Sequence, residues 1–320
     1  MTEARPIRWG ILGTGGIVPI LLTGARMTDA VEFIAVGSRS EERAVAFAAE
    51  HSIPRAHGSY EGLLANADVE AVYIALPNAL HHPWTLRALE AGKHVLVEKP
   101  YSLHPDEVTA AFGAADASGL VLSEALMWRH HPQVAALQTI IGQLGALQVI
   151  RSTFSFVLDN ADDIRLQPGL DGGSLLDVGT YCVSASRILA GEEPEEVYGV
   201  ATIGSSGVDV RFTGLLRFPA GVVAEFTCGF TTDHRGLEAI GTGGSVLATD
   251  PWHARPAVIV RDGVPMEFEP ANAYRLELED VSGAIRSGRG PLVDRAHSLG
   301  QAQTIQALLR SAATGAPVLL

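Results

Sequence analysis

The chain has 320 residues, 47% of them hydrophobic and spread in short runs, with a formal net charge of −13. A chain this long exceeds what one core usually organises, so two domains are expected, and the acidic balance argues against nucleic acid or an anionic membrane as partner. A phosphate-bearing cofactor stays compatible, because a helix N-terminus and a few arginines act locally. The two cysteines, Cys182 and Cys228, belong to no CxxC pattern and read as reduced, buried small hydrophobes. Met1-Thr2-Glu3-Ala4-Arg5-Pro6 is no apolar signal segment and no run reaches transmembrane length, so a cytoplasmic protein is expected.

Over the first 125 residues, short apolar runs alternate with helical periods. Strands are expected at residues 7–12, 32–37, 71–76, 94–97 and 121–124, and helices at 17–26, 41–50, 82–91 and 105–117. This alternation implies right-handed crossovers and a doubly wound parallel sheet. From about residue 144 the texture changes to strands at 149–157, 196–203, 208–218 and 222–230, with shorter ones near 237–240, 246–249 and 258–260. Their hairpin signals indicate a mostly antiparallel sheet. Helices are expected at 175–190, 274–287 and 295–314. The expected organisation is a Rossmann α/β domain at 1–125 and an α+β domain at 126–320, with a C-terminal helix able to pack back on the first. Val149, Phe154, Phe156, Val210, Phe212, Val223 and Phe226 supply apolar side chains to the two faces of the second sheet, so self-association through it, as a homodimer or homotetramer, is expected.

The first strand runs into Gly13-Thr14-Gly15-Gly16-Ile17. Gly13 and Gly15 allow a tight turn that approaches a pyrophosphate, which then rests on the following helix N-terminus. The third glycine of the fingerprint is replaced by Val18, so the helix stands further out or Gly16 supplies the close approach. At the end of the second strand, where a NAD site places an acid, stand Ser38 and Arg39. A hydroxyl and a guanidinium suit a 2′-phosphate, so NADP(H) is expected, with NAD as the weaker possibility.

His94-Val95-Leu96-Val97-Glu98-Lys99-Pro100 is an apolar strand that ends in an acid, a lysine and a proline. The carboxyl ends of parallel strands are where ligands bind, and a partly desolvated Lys99 there can act as acid, base or electrostatic stabiliser. Proline fixes the strand's end. Adjacent histidines at 81–82 and 130–131 point in different directions and lack partners at ligand spacing, so no metal site is expected. His81, in the loop after a strand, is placed near the cleft. Asp159, Asp162, Asp163 and Arg165 form a polar loop in which Arg165 can contact substrate hydroxyls. Asp233-His234-Arg235 reads as a turn.

The glycine turn, Leu76-Pro77-Asn78 and Glu98-Lys99-Pro100, in this order, resemble the Gfo/Idh/MocA oxidoreductase family. Residues 124–129 and 172–182 resemble its branch of dimeric dihydrodiol dehydrogenases, aldose (xylose) dehydrogenases and glucose-fructose oxidoreductases, which is NADP-linked. The resemblance implies Lys99 and Tyr181 as the catalytic pair, with Asn78, Trp128 and Arg129 lining the cofactor beside Leu76, Pro77, His81 and Glu98. Many relatives carry histidine where this chain has Tyr181. On their own terms, Ser174 suits a helix N-cap and Asp177 a capping-box variant, with Tyr181 one turn on. A free tyrosine has a pKa of about 10, and a lysine ammonium nearby favours its ionised form, so the two would titrate as a unit. Arg165, Asp177 and Tyr181 are the expected substrate contacts, and Asp177 is expected among the catalytic residues beside Lys99 and Tyr181. The expected reaction is hydride transfer to or from a sugar, sugar derivative or vicinal diol. Two alternatives stand: a ketoreductase on a nucleotide-linked keto sugar, and a non-catalytic cofactor-binding regulator.

Overall fold

The computed structural model describes residues 5–253 and 258–320. Met1 to Ala4, part of the stretch read above for a signal segment, lie outside the described residues. The chain divides into two compact units, one of Met1–Ser102, Asp106–His130 and Asn272–Ser298, the other of Leu103–Pro105, His131–Ala271 and Leu299–Leu320.

In chain order the first unit carries β1 (Ile7–Leu12), α1 (Val18–Ala25), β2 (Val31–Gly37), α2 (Glu41–His51), β3 (Arg55–His57), α3 (Tyr60–Leu64), β4 (Ala71–Ile74), α4 (His81–Glu90), β5 (His94–Glu98), α5 (Pro105–Ser118) and β6 (Leu122–Ala125). The six strands form one parallel sheet in the order β3-β2-β1-β4-β5-β6. Strand order reverses between β1 and β4, and the loops above that point hold ligands in open sheets of this kind. The strands read as apolar runs because helices cover both faces: Trp9, Ile11, Leu12, Tyr73, Val95, Leu96 and Val97 are fully buried. α2 starts where the Ser40 hydroxyl accepts from Arg43 N–H, with Glu41 and Glu42 in its first turn. β3 and α3 escape sequence reading, since Arg-Ala-His shows no apolar alternation and five residues show no helical period.

The second unit continues with α6 (Pro132–Ile141), β7 (Leu147–Ser155), a π-helical turn (Leu175–Gly179), α7 (Thr180–Ala190), β8 (Glu196–Ile203), β9 (Asp209–Arg217), β10 (Val223–Gly229), β11 (His234–Gly241), β12 (Gly244–Ala248), β13 (Val258–Arg261) and β14 (Val264–Glu267). α8 (Ala273–Ser287) belongs to the first unit and most of α9 (Arg295–Thr314) to the second, which ends in β15 (Val318–Leu319). Nine strands form one sheet, β14-β13-β12-β11-β7-β10-β9-β8-β15, antiparallel except for the pair β7 and β10. His234 and Arg235 are strand residues paired with Ser155 and Phe154, not a turn, because β11 extends further than its apolar core suggests.

One face of this sheet is core and the other is not. Phe154, Phe212 and Phe226 are buried, and the Phe212 and Phe226 rings stack at 6.2 Å. Gly214 lies beneath Phe226 and Gly199 beneath Phe212, where a Cβ would overlap either ring. On the other face stand Tyr198, Val200, Leu215 and Leu247, all exposed, around Arg151 paired to Glu225 at 2.5 Å. Among the described residues no helix is long and apolar enough to cross a membrane.

Candidate active site

The β1–α1 turn is built around Gly13. Its N–H donates to Gly37 O (2.9 Å), its φ is +103°, and a Cβ there would meet Ala75 O at 2.5 Å. Only glycine satisfies both conditions. Thr14, Gly15 and Ile17 follow half-buried, and α1 starts at the buried Val18. Gly16 is not the close-approach glycine allowed for above, because a Cβ on it would meet open space. The tight glycine contact of α1 is at Gly24 and faces another helix, since a Cβ there would sit 2.8 Å from Arg275 N of α8. The helix α1 is therefore fitted to α8 by its next-to-last residue, a glycine.

At the end of β2, Ser38 is buried, donates its N–H to His57 O (3.0 Å) and accepts from Ser40 N–H (3.4 Å). Arg39 is exposed. Burial raises the Tyr60 phenol pKa, while Arg39, which also hydrogen-bonds it, and Arg43 pull the other way. Two guanidiniums thus share one corner with a phenol, whose ring is held edge-on by Trp84 at 4.8 Å. Sequence reading missed Arg43 and Tyr60. The available signal was Arg43 in the first turn of α2, four residues after Arg39.

The next two βα loops are tied together by His81. It is wholly buried, with Nδ1 2.8 Å from Pro100 O and Nε2 2.8 Å from Leu76 O. The ring offers no surface to a ligand, so the expectation that His81 faces the cofactor is corrected: it holds the loops. Burial pushes its pKa down to about 4 against the pull of both carbonyls. Pro77 and Asn78, between the two anchors of α4, remain half-buried at the loop surface.

β5 ends at Glu98. The Tyr73 hydroxyl donates to Glu98 Oε1, and Glu98 Oε2 accepts from Lys99 N–H (3.2 Å). The Lys99–Pro100 bond is cis and Tyr101 N–H donates to Glu124 Oε1 (3.0 Å). Glu98 therefore orients the backbone that carries Lys99, and Lys99 is itself half-buried one residue past the strand end. Trp128 is buried, and Arg129 Nη1 lies 3.0 Å from His297 Nδ1. Nearby, His130 Nε2 is 3.3 Å from Asp280 Oδ2. Burial works against the Asp280 carboxylate, but hydrogen bonds from His130, Leu292 N–H and Arg289 outweigh it and hold the pKa at about 2.

Glu277 of α8 is also buried, and burial with the charges of Glu98 and Asp280 raises its carboxyl well above the usual range. A raised carboxyl keeps its proton while the unfolded chain loses it, so stability falls as pH climbs above about 4.3. Glu277→Gln should raise stability by on the order of a kcal/mol at pH 8, with a smaller gain at pH 5. Thermal melts at the two pH values check this, and an equal or reversed effect would contradict it.

In the second unit, Arg165 Nε donates to Asp177 Oδ2 (2.7 Å) and Arg165 Nη1 to Asp163 Oδ1 (3.2 Å), so two of the expected substrate residues meet. Ser174 does not cap the following helix. Its φ and ψ are helical, its side chain makes no cap bond, and the hydroxyl turns instead to Asp209 (2.6 Å). Asp177 likewise accepts from Arg165 rather than closing a capping box. Tyr181 follows the π-turn, with its ring against Phe154 (5.2 Å) and Trp252 (5.9 Å), and Trp252 Nε1 donates to Thr153 O (2.8 Å). Phe154, Trp252 and Asp209 carried no motif that would single them out. Among the described residues, no group of three His, Cys, Asp or Glu is placed to hold a metal ion.

Known proteins match the chain in both of its parts. An oxidoreductase family with an NAD-binding Rossmann fold matches residues 7–126, and the GFO/IDH/MocA C-terminal domain matches 136–247. The chain is 41% identical to D-xylose 1-dehydrogenase (NADP(+)) 2 of Haloferax volcanii over 97% of this chain and 98% of that one. A 3-ketoreductase from Actinomadura kijaniata, solved with NADP and TDP-benzene, superposes with TM-score 0.89 at 30% identity, covering 96% of this chain and 98% of that one. An aldose-aldose oxidoreductase from Caulobacter crescentus, solved with glycerol, gives TM-score 0.91 at 28% identity over 99% and 100%. With both domain types matched in order along the chain, this protein belongs to the Gfo/Idh/MocA oxidoreductase family.

Proposed function

We propose that the protein is an NADP(H)-dependent dehydrogenase that oxidises an aldose or a related vicinal hydroxy compound, with Lys99 and Tyr181 as its acid–base pair. The placement of Lys99 carries this reading: it stands one residue past β5, in the sheet whose β1–α1 turn forms the dinucleotide cradle. The residues fit the cofactor. Gly13, at φ +103° and closed in by Ala75 O, lets the β1–α1 turn bend tightly enough for a pyrophosphate to approach the start of α1, and Arg39 with Arg43 meets the charge of a 2′-phosphate. The 41%-identical relative is named for NADP(+) and D-xylose, and the ketoreductase was solved with NADP. We assign the first unit to cofactor binding, with Thr14, Gly15, Ile17, Ser38, Leu76, Pro77, Asn78, Trp128 and Arg129 around it, and the second to substrate binding and self-association.

When bound, the cofactor would supply the hydride chemistry at nicotinamide C4, as acceptor in the form NADP+ and as donor in the form NADPH. The protein's share is the proton and the charge. Tyr181 Oη takes the proton from the reacting hydroxyl during oxidation and returns it during reduction. Lys99 Nζ stabilises the negative charge on that oxygen and on the phenolate. Asp177, fixed by Arg165, accepts hydrogen bonds from further substrate hydroxyls. The same ketoreductase has been solved with a tyrosine changed to phenylalanine and with a lysine changed to alanine, which supports attention to these two residue types.

The TDP-benzene bound to that ketoreductase favours a second reading, reduction of a nucleotide-linked keto sugar. Against it, the Arg165 guanidinium is already committed to two carboxylates. Initial rates with D-xylose and NADP+ or NAD+ test the first reading, and NADPH oxidation with a dTDP-linked keto sugar tests the second. We expect NADPH formation from D-xylose at an efficiency at least about tenfold above that with NAD+, unaffected by added TDP. Inhibition by TDP with turnover of the keto sugar would favour the second reading, and no turnover in either direction would favour a non-catalytic cofactor-binding regulator. We further propose that the open sheet face around Leu215 and Tyr198 is covered by a second copy of the chain; a monomer by light scattering at micromolar concentration would end that proposal.

A further inference from the structure

Asp209, the first residue of β9, is buried at 7% exposure at the start of the π-turn. Its Oδ2 accepts from the Ser174 hydroxyl (2.6 Å) and from Leu175 N–H (2.8 Å). Its Oδ1 occupies the place a Cβ on residue 173 would take, and Gly173 has φ +121°. Residue 173 must therefore lack a side chain for two separate reasons, and one of them is this carboxylate. Gly173 N–H also donates to Arg165 O (2.8 Å), so the loop bearing Arg165 is pinned to the same point. Further on, a Cβ on Gly179 would meet Cys228 Sγ of β10 at 2.8 Å, which presses the far end of the turn on the sheet. Tyr181 follows two residues later.

We propose that Asp209 is a positioning residue for the reaction: by anchoring the first residues of the π-turn it fixes where Asp177 and Tyr181 stand, and so sets the rate of proton transfer. This rests on Tyr181 being the acid–base group. Burial raises the Asp209 carboxyl, and the bonds from Ser174 and Leu175 oppose that rise. Removing one partner of such a buried polar set leaves the others unsatisfied, and the backbone they held is free to shift. Misplacing a reacting group by about 1 Å costs on the order of a hundredfold in rate. π-turns inserted in helices recur at functional sites, where a local register change aims a side chain.

The test is steady-state kinetics with D-xylose and NADP+ on Asp209→Ala, Asp209→Asn, Ser174→Ala, Tyr181→Phe and the double variant Asp209→Ala/Tyr181→Phe, with NADPH binding followed by fluorescence. Asp209→Ala should lower kcat about thirtyfold or more, with NADPH affinity kept within about twofold. Asn keeps an acceptor for Leu175 N–H, so Asp209→Asn should recover most of that loss, and Ser174→Ala should fall between. The double variant should be no slower than Tyr181→Phe alone, because the carboxylate acts through the phenol. A kcat near wild type in Ser174→Ala, or additive losses in the double variant, would overturn the proposal. If Asp209→Ala fails to fold, Ser174→Ala decides: a lowered kcat with NADPH affinity kept supports the proposal, and a wild-type kcat overturns it. Wild-type kcat in Tyr181→Phe would remove the acid–base assignment itself, and the positioning role with it. A slow Tyr181→Phe beside an unimpaired Asp209→Ala would remove only the positioning role.

Discussion

Tyr181→Phe is expected to lower turnover with D-xylose by at least about a hundredfold while leaving NADPH affinity nearly unchanged. The substitution removes one oxygen from a ring whose packing against Phe154 and Trp252 stays intact, so the fold loses little. A positioned general acid or base contributes about a hundred- to ten-thousandfold, which sets the scale. Lys99→Ala should cost at least as much. In the proposed mechanism it removes the charge that makes the phenol a usable base and stabilises the developing oxyanion. Glu98 and Tyr73 hold the backbone at this point through Lys99 N–H, not through its side chain, so the loop should survive the change. The losses should appear in kcat more than in the KM for NADP+. A Tyr181→Phe enzyme with near-normal kcat would exclude the phenol from the mechanism.

The second large effect is expected at the corner proposed to hold the cofactor's 2′-phosphate. Arg39→Ala and Arg43→Ala should each raise the KM for NADP+ by roughly ten- to hundredfold, and hardly change that for NAD+. A charge-assisted hydrogen bond of about 1.5–3 kcal/mol corresponds to that range. Arg39 is exposed, so the attraction is partly screened and its share should shrink as ionic strength rises. The phenol of Tyr60, which takes a hydrogen bond from Arg39, should keep Arg43 from replacing Arg39 fully. Comparing kcat/KM for the two cofactors at low and high salt checks both statements. Equal losses with NAD+ would mean that the arginines support the fold of the β2–α2 turn rather than recognise phosphate.

Much of this was legible in the residues themselves. The strands of the first sheet are buried on both faces, so they read as uninterrupted apolar runs, and the turn at Gly13 and the end of β5 at Glu98 followed from them. Residues whose role depends on distant partners were not legible. His81 looked like a cleft residue because it follows Asn78 in the chain, yet two carbonyls from separate loops enclose it. Ser174 looked like a helix cap because capping is local, but a carboxylate 35 positions away competes for its hydroxyl and wins. Arg43, in the first turn of α2, and Tyr60, which opens α3, come together only in the folded chain. Short or edge elements such as β3 and β15 owe their conformation to a neighbouring strand rather than to their own side chains.

The bridge made by His81 has a consequence for protonation. Two carbonyl oxygens face the two ring nitrogens at 2.8 Å, and a neutral imidazole owns a single N–H. At neutral pH one of the loops is therefore gripped by a donor while the other faces a lone pair. Which loop is gripped is a choice of tautomer, and exchanging it transfers the grip between Leu76 and Pro100 without moving a heavy atom. The loop carrying Asn78 and the loop carrying Lys99 thus share one proton.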